Sequence, residues 1–290
     1  MLLQTIVTGL SIGGIYALMA VGYSLIFSIM GFSNFANGSI IMIASYFAFF
    51  SVSSYGMPFV AALFISMVVG ALLSIFTERV AYNPLRKRRA PSLFLMISAM
   101  GCSMFLENMV YVTIGGTYHS FPTVFQVGTI DIFGASLGFL DIFAIVFSFS
   151  AIFLLHYFIE KTRIGIAIRA VSYDSVTAQI NGVNLSAAIG IVFVISGLLA
   201  GISGVFLGMK YMVYPAMGII TNKAYVAAVI GGLGSLPGAV IGGVILGVLE
   251  SLVSVYVSSG FRDVFSFAFL IAMLVILPTG ILGKKHVEKL

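Results

Sequence analysis

From Met1 to Thr77 the chain carries no charged residue. An uncharged stretch of that length holds about three membrane spans at roughly 20 residues each. The breaks must then be read from turn residues. Gly31 to Gly38, reading GFSNFANG, is the first polar interruption, and Ser53 to Pro58 is the second. This places spans near 5–28, 36–54 and 58–77. Glu78 to Pro91 follows, with Arg79, Arg86, Lys87, Arg88 and Arg89 forming the densest basic cluster of the chain. By the positive-inside rule that cluster is cytoplasmic.

Residues 92–114 read as a fourth span interrupted only by Glu107. The polar segment beyond it, with Thr117, His119, Pro122 and Asp131, is expected outside. A fifth span near 140–159 returns to a second basic stretch containing Lys161, Arg163 and Arg169, so the chain to Leu185 is expected to be cytoplasmic. Span six, near 186–209, is rich in Gly and Ala, as close helix packing in lipid requires. From Ala224 to Val257 the sequence GGLGSLPG (231–238) splits an apolar run into two pieces, the first of about 13 residues and roughly 20 Å of helix. That is short of a bilayer, so the piece is expected to be a short or broken helix buried in protein. A last span is expected over Val264 to Leu282, ahead of a basic tail. The fold class is therefore all-α, a polytopic membrane helix bundle of eight or nine spans forming one domain over 1–290, with a broken helix pair near 224–257.

Composition agrees with this pattern. Of the 290 residues 60% are hydrophobic and 8% charged, and the mean hydropathy is +1.16. A soluble domain carries about 25% charged residues, so soluble enzyme classes are poor starting points. The net charge of +5 sits in short clusters, which suggests membrane topology rather than nucleic-acid binding. Cys102 is the single cysteine, which excludes an intrachain disulfide and a Cys-rich metal cluster. The start, Met1, Leu2, Leu3 and Gln4, lacks a basic n-region, so the first apolar run is expected to stay in the mature protein. Trp is absent, which leaves Tyr and Phe as interfacial anchors.

Little in the chain suggests chemistry. A phosphate-binding Gly-x-x-x-x-Gly-Lys-Ser/Thr loop does not occur, and neither does a Gly-x-Ser-x-Gly elbow. His119, His156 and His286 are far apart, which does not support a metal site. A pathway or scaffold is the stronger class. Glu107 and Glu250 lie within apolar spans, where a carboxylate costs a few kcal/mol unless protonated, paired or facing water. They are expected to face the interior, either lining a route for a substrate ammonium or serving as hydrogen-bonded packing devices. The packing reading is favoured, because neither has a cation in its own span. Asn34, Asn37 and Ser39 put amide and hydroxyl groups beside a helix break that either binds a zwitterion or is a polar turn at the membrane surface. Gly231 and Gly234 permit close backbone approach along a pathway or tight helix packing. In RAVSYDSVTAQINGVN (169–184), Asp174 can cap a short helix that Gly182 ends. On the fragment alone, an ordinary capped linker outweighs a docking element.

Five segments together carry a resemblance: GGIYALMAVGYSLIFSIMGFSNFANG (13–38), ERVAYNPLRKR (78–88), TRIGIAIRAVSYDSVTAQINGVN (162–184), AAVIGGLGSLPGAVIGGVILGVLE (227–250) and PTGILG (278–283). The chain resembles the LivH-type permease subunit of bacterial branched-chain amino acid ABC transporters over essentially its whole length. That resemblance implies a pore-forming subunit in the cytoplasmic membrane, without catalytic or metal residues and with no cofactor of its own. ATP and Mg would be used by two cytoplasmic ATPase subunits of the LivG and LivF type. A second, LivM-type permease and an extracytoplasmic binding protein would complete the assembly. The 162–184 segment then becomes the coupling loop, with Arg169, Ala170, Asp174, Ala178 and Gly182 as its key positions. The family often has His where this chain has Asn37. Substrate identity is expected to reside in the binding protein, since an apolar pocket separates Leu from Val by only about 1 to 3 kcal/mol. The alternative reading is an ion-coupled carrier of small zwitterionic solutes, drawing on Glu107, Glu250 and the broken helices.

Overall fold

The structure, a computed structural model, describes residues 2–122, 129–132 and 135–283, with the backbone alone for 129–132 and 135–137. The side chain of Asp131, together with Lys284, Lys285 and His286 of the basic tail, lies outside the described residues. The elements in chain order are α1 (Leu2–Met30), α2 (Asn37–Ser53), α3 (Phe59–Thr77), a π-helical turn (Glu78–Tyr82), α4 (Asn83–Lys87) and α5 (Ser92–Thr113). A hairpin of β1 (Thr129–Ile132) and β2 (Ala135–Gly138) leads into α6 (Phe139–Lys161), α7 (Arg163–Tyr173), α8 (Ser175–Ile180) and α9 (Leu185–Tyr211). A 3₁₀ turn (Pro215–Thr221) then precedes α10 (Asn222–Gly231), α11 (Leu236–Tyr256) and α12 (Arg262–Ile276).

These helices are a membrane protein's helices. Seven stretches are long and apolar enough to cross a bilayer, among them the continuous run Phe59–Lys87 that joins α3, the π turn and α4. The expected spans near 5–28 and 186–209 fall inside α1 and α9, and the one near 58–77 matches α3 to within one residue. The last span differs. It ends at Ile276 rather than Leu282, because Leu277 leaves the helical region and Pro278 cannot supply the amide that would continue the ladder.

The chain forms two compact units. In the first (Met1–Ser24, Phe125–Ile152 and Lys223–Leu290), α1 runs antiparallel to α11, with Gly9 against Val248, Gly13 against Val244 and Ala17 against Gly243. The turn Pro278–Gly283 folds onto the end of α10, where Ile281 N donates to Ile230 O and Leu282 N to Gly231 O, each at 2.9 Å. In the second unit (Leu25–Val124 and Phe153–Asn222), α9 is the central post. It meets α3 at Gly197 and Gly201, and α2 at Gly204 and Gly208.

Residues 78–91 join the end of α3 to the start of α5. Ser172 of α7 donates to Ser28 O at 2.9 Å, which puts the end of α1 beside α7. Ile41 and Ser45 touch α9 at Gly204 and Gly208. Asn37 therefore begins α2 one turn nearer the start of α9, about 22 Å along that helix from Leu185 at the helical rise of 1.5 Å per residue. Thus α2 is not a full span. Residues 31–36 carry the chain back into the membrane in a non-helical conformation, and α2 completes the crossing. The second short passage, the 3₁₀ turn and the ten-residue α10, matches the short broken helix expected from the sequence. Seven helices long and apolar enough to span, the shorter apolar α2 and the ten-residue α10 are the membrane elements among the described residues.

Candidate functional site

The 31–36 break is buried, not a turn at the membrane surface. Asn34 and Asn37 are each 1% exposed, and Ser39 is buried too. Inside lipid every freed backbone group needs a partner, so such a break requires neighbours that hold it. Tyr82 is one of them: its hydroxyl donates to Asn34 Oδ1 at 2.6 Å, while Ala36 N donates to the same oxygen at 3.2 Å. The ring of Tyr82 packs between Phe32 and Phe193, with centroids 5.2 and 5.7 Å away. Tyr82 reaches this position from the π turn, whose extra residue rotates it and Glu78 off the regular helical face. Glu78, buried like Tyr82, pairs with Arg86 at 3.1 Å. On the outer side of the break, Ser39 Oγ lies 2.8 Å from Ser103 Oγ of α5. The 3₁₀ turn closes over the start of α2, with Gly38 packed directly on Gly218 and Thr221.

Two groups at this break have no hydrogen-bond partner among the described residues: Asn34 Nδ2 and Asn37 Oδ1. The N-cap position of α2 is Ala36, which provides no side-chain cap. Asn37 N donates to Asn34 O at 3.2 Å, and the amides that follow, those of Gly38 and Ser39, have no side-chain cap at the positive end of the helix.

The remaining candidates separate. Glu107 is half-buried on α5, one turn outward of Ser103, and makes no hydrogen bond or ion pair among the described residues. Glu250 is 2% exposed and fully engaged: Tyr16 OH donates at 3.0 Å, Ser266 Oγ at 2.7 Å, and Lys223 Nζ sits 3.0 Å away. Lys223 also binds Asp263 at 2.7 Å. A cavity of about 350 Å³, lined in part by Thr5, Thr8, Ser254 and Arg262, opens beside Glu250. Lys223 escaped the sequence reading, although it is a lone cation at the edge of an apolar run, four elements being needed to bring it to Glu250. Gly231 packs backbone to backbone on Gly238, and Gly234 N donates to Ser24 Oγ at 2.9 Å.

Because Glu250 is buried and its ion-pair partner among the described residues lies on another helix, Lys223→Met is expected to cost about 3 kcal/mol, the usual penalty for stranding one member of a buried pair. The double variant Lys223→Met/Glu250→Leu should recover most of that loss. Thermal unfolding of the detergent-solubilised protein measures both, and a double variant no better than the single one would show that the pair is not the stabilising unit.

The capped helix expected after Arg169 is present. Asp174 accepts from Val176 N and Thr177 N at 2.9 and 3.2 Å, and Gly182 ends the turn at φ +84°. Ala170 and Ala178 face inward and pack with Val171, Ala188 and Ile29. Arg169 donates to Glu160 O at 3.3 Å. The five positions chosen from the sequence thus build the element. Its outer surface belongs to residues the sequence reading passed over: Tyr173, Val176 and Ile180, at 84, 64 and 80% exposed. Among the described residues, no three His, Cys, Asp or Glu side chains gather as a metal site.

Residues 5–276 match the family described as branched-chain amino acid transport system / permease component. The chain belongs to that family. This permease is 40% identical over 301 residues to the high-affinity branched-chain amino acid transport system permease protein LivH of Escherichia coli K12, spanning 99% of this chain and 97% of that protein. It is 38% identical, over the same shares, to the corresponding permease protein BraD of Pseudomonas aeruginosa. A probable branched-chain amino acid transport permease protein LivH of Methanocaldococcus jannaschii is 32% identical over 92% of this chain and 88% of its own length. Among solved structures, PsaBC from Streptococcus pneumoniae in complex with Fab superposes with a TM-score of 0.52 at 11% identity, covering 94% of this chain and 91% of that one. That likeness concerns the fold. This permease is a multi-pass membrane protein of the same architecture.

Proposed function

We propose that this permease is the membrane subunit of an ATP-driven importer of branched-chain or related neutral amino acids in the bacterial cytoplasmic membrane. Two ATPase subunits supply the energy, with ATP and Mg bound by them; a second, homologous permease completes the conduit, and an extracytoplasmic binding protein delivers the substrate. The observation that carries this reading is the apolar stripe of Tyr173, Val176 and Ile180 on a capped element outside the lipid. Val176 and Ile180 lie one turn apart on α8 and Tyr173 ends α7; exposed apolar side chains grouped on one element in water mark a protein interface.

A mechanical link supports it. α7 is tied to the end of α1 through Ser172 and Ser28, and Ile29 packs against the buried faces of α7 and α8. Two residues further on the helix ends, and the chain turns into the break that sets the start of α2. When the ATPase pair closes, a rigid α7–α8 element moves with it and drags that turn, displacing the break. Arg169, Ala170, Asp174, Ala178 and Gly182 keep the element rigid, while Asn34, Asn37, Ser39 and Glu107 lie along the route it controls. Glu250, Gly231 and Gly234 hold the packing of the first unit.

In proteoliposomes containing the full assembly, leucine uptake should require ATP inside and the binding protein outside, and should fall to the leak rate when either ATPase is omitted. Uptake that survives without ATPases but collapses with an ionophore would establish an ion-coupled carrier instead.

A further inference from the structure

The start of α2 has the chemistry of a zwitterion site. Helix N-termini with uncapped amides attract carboxylates, and here the terminus lies near mid-membrane, where no water competes. The second observation is independent of the helix. The Asn34 amide lies across the N-cap, its oxygen held by Tyr82 OH and Ala36 N, while its Nδ2 is 99% removed from solvent with its residue and bonds to nothing among the described residues. Asn37 Oδ1, equally buried, is an unpartnered acceptor at the first helical position. An unsatisfied buried amide group costs about 1 to 3 kcal/mol, so two of them side by side require a compensating use.

We propose that this break is a binding station for the transported amino acid: the amides of Gly38 and Ser39 and Asn34 Nδ2 donate to its α-carboxylate, and Asn37 Oδ1 accepts from its α-ammonium. The station rests on the importer reading above and adds to it the part of the substrate that is recognised. No formal charge of the protein takes part, so a zwitterion is held without being trapped. The Pro215–Thr221 turn seals the station in this structure through the contact of Gly38 with Gly218 and Thr221, and Thr221 Oγ1 donates to Gly218 O at 2.5 Å within the turn, fixing its shape. Withdrawal of this turn opens the station to the substrate.

The test exploits the asymmetry of the Asn34 amide. Asn34→Asp preserves the shape and both hydrogen bonds that the side chain accepts, and changes only the unpartnered atom, from a donor to an oxygen that repels a carboxylate. In proteoliposomes with ATPases and binding protein, this variant should lower the maximal leucine uptake rate about tenfold or more, the scale of a lost charge-assisted bond. Half-saturation, set by the binding protein, should stay within about twofold, as should substrate-free ATP hydrolysis. Asn37→Ala removes an atom that bonds to nothing in the fold and should reduce the maximal rate severalfold with the assembly intact. Wild-type rates in both variants would overturn the station while leaving the importer reading standing. So would a failure of Asn34→Asp to assemble combined with a wild-type rate in Asn37→Ala. Absence of ATP-dependent amino acid uptake by the unmodified assembly would overturn the importer reading, and the station with it.

Discussion

The double variant Tyr173→Asp/Ile180→Asp is expected to lose its ATPase partners and, with them, ATP-dependent uptake. Both side chains are more than three quarters exposed, so their replacement leaves the packing of α7 and α8 intact. Buried apolar anchors at protein interfaces each contribute about 2 kcal/mol or more, and a carboxylate placed at such a position must be desolvated as well. Together the two substitutions should weaken the association at least a thousandfold by that scale. Co-purification of the ATPases with the tagged permease measures it, and ordinary membrane expression of the variant shows that the fold survives. Gly182→Val acts differently. At φ +84° a β-branched residue is strained by about 1 to 2 kcal/mol, so the end of α8 is displaced rather than its surface recoloured, and a partial loss of coupling is expected. Full retention of the ATPases by the double variant would remove this element from the interface.

How much of this was legible beforehand depended on the kind of signal. Charge-free runs bounded by basic clusters locate spans because the cost of a charge in lipid acts on each residue separately. The Asp174 cap and the Gly182 stop are local in the same sense. The depth at which α2 starts was not legible, since it depends on the contacts of Ile41 and Ser45 with α9, about 160 residues along the chain. The alternatives for the GFSNFANG break, a buried site or a surface turn, therefore looked alike. Lys223 illustrates a second limit. Its carboxylate partners lie 27 and 40 residues further on, and only the fold brings them within 3.0 Å. Tyr173, Val176 and Ile180 were passed over for another reason: in an apolar chain, three further apolar residues carry no contrast until their exposure is known.

Gly201→Leu is expected to abolish the folded protein. α3 and α9 approach so closely that a Cβ on Gly201 would lie 2.5 Å from Ser66 O and 2.6 Å from Met67 Cα, both backbone atoms that cannot rotate away. Ser66 Oγ also donates to Gly201 O at 2.8 Å and approaches Ala44 O at 3.0 Å, so the same spot ties α2, α3 and α9 together. A leucine there must separate the helices along their whole seam, forfeiting the close packing that holds helices together where no hydrophobic effect acts between them. The cost should exceed the roughly 1 to 3 kcal/mol of ordinary overpacking, because backbone rather than side chains must move. Gly190→Leu on the same helix has no atom within 4 Å of its new Cβ and should be tolerated. Size-exclusion profiles of the two variants in detergent provide the comparison, and equal behaviour would mean that the seam is not under packing constraint. The contrast also bears on mechanism, because a seam of glycines lets one helix slide on the other without side chains interlocking. Gly201→Ala and Gly197→Ala each bring a Cβ against backbone of α3, so both should also loosen the seam and destabilise the fold, less severely than leucine.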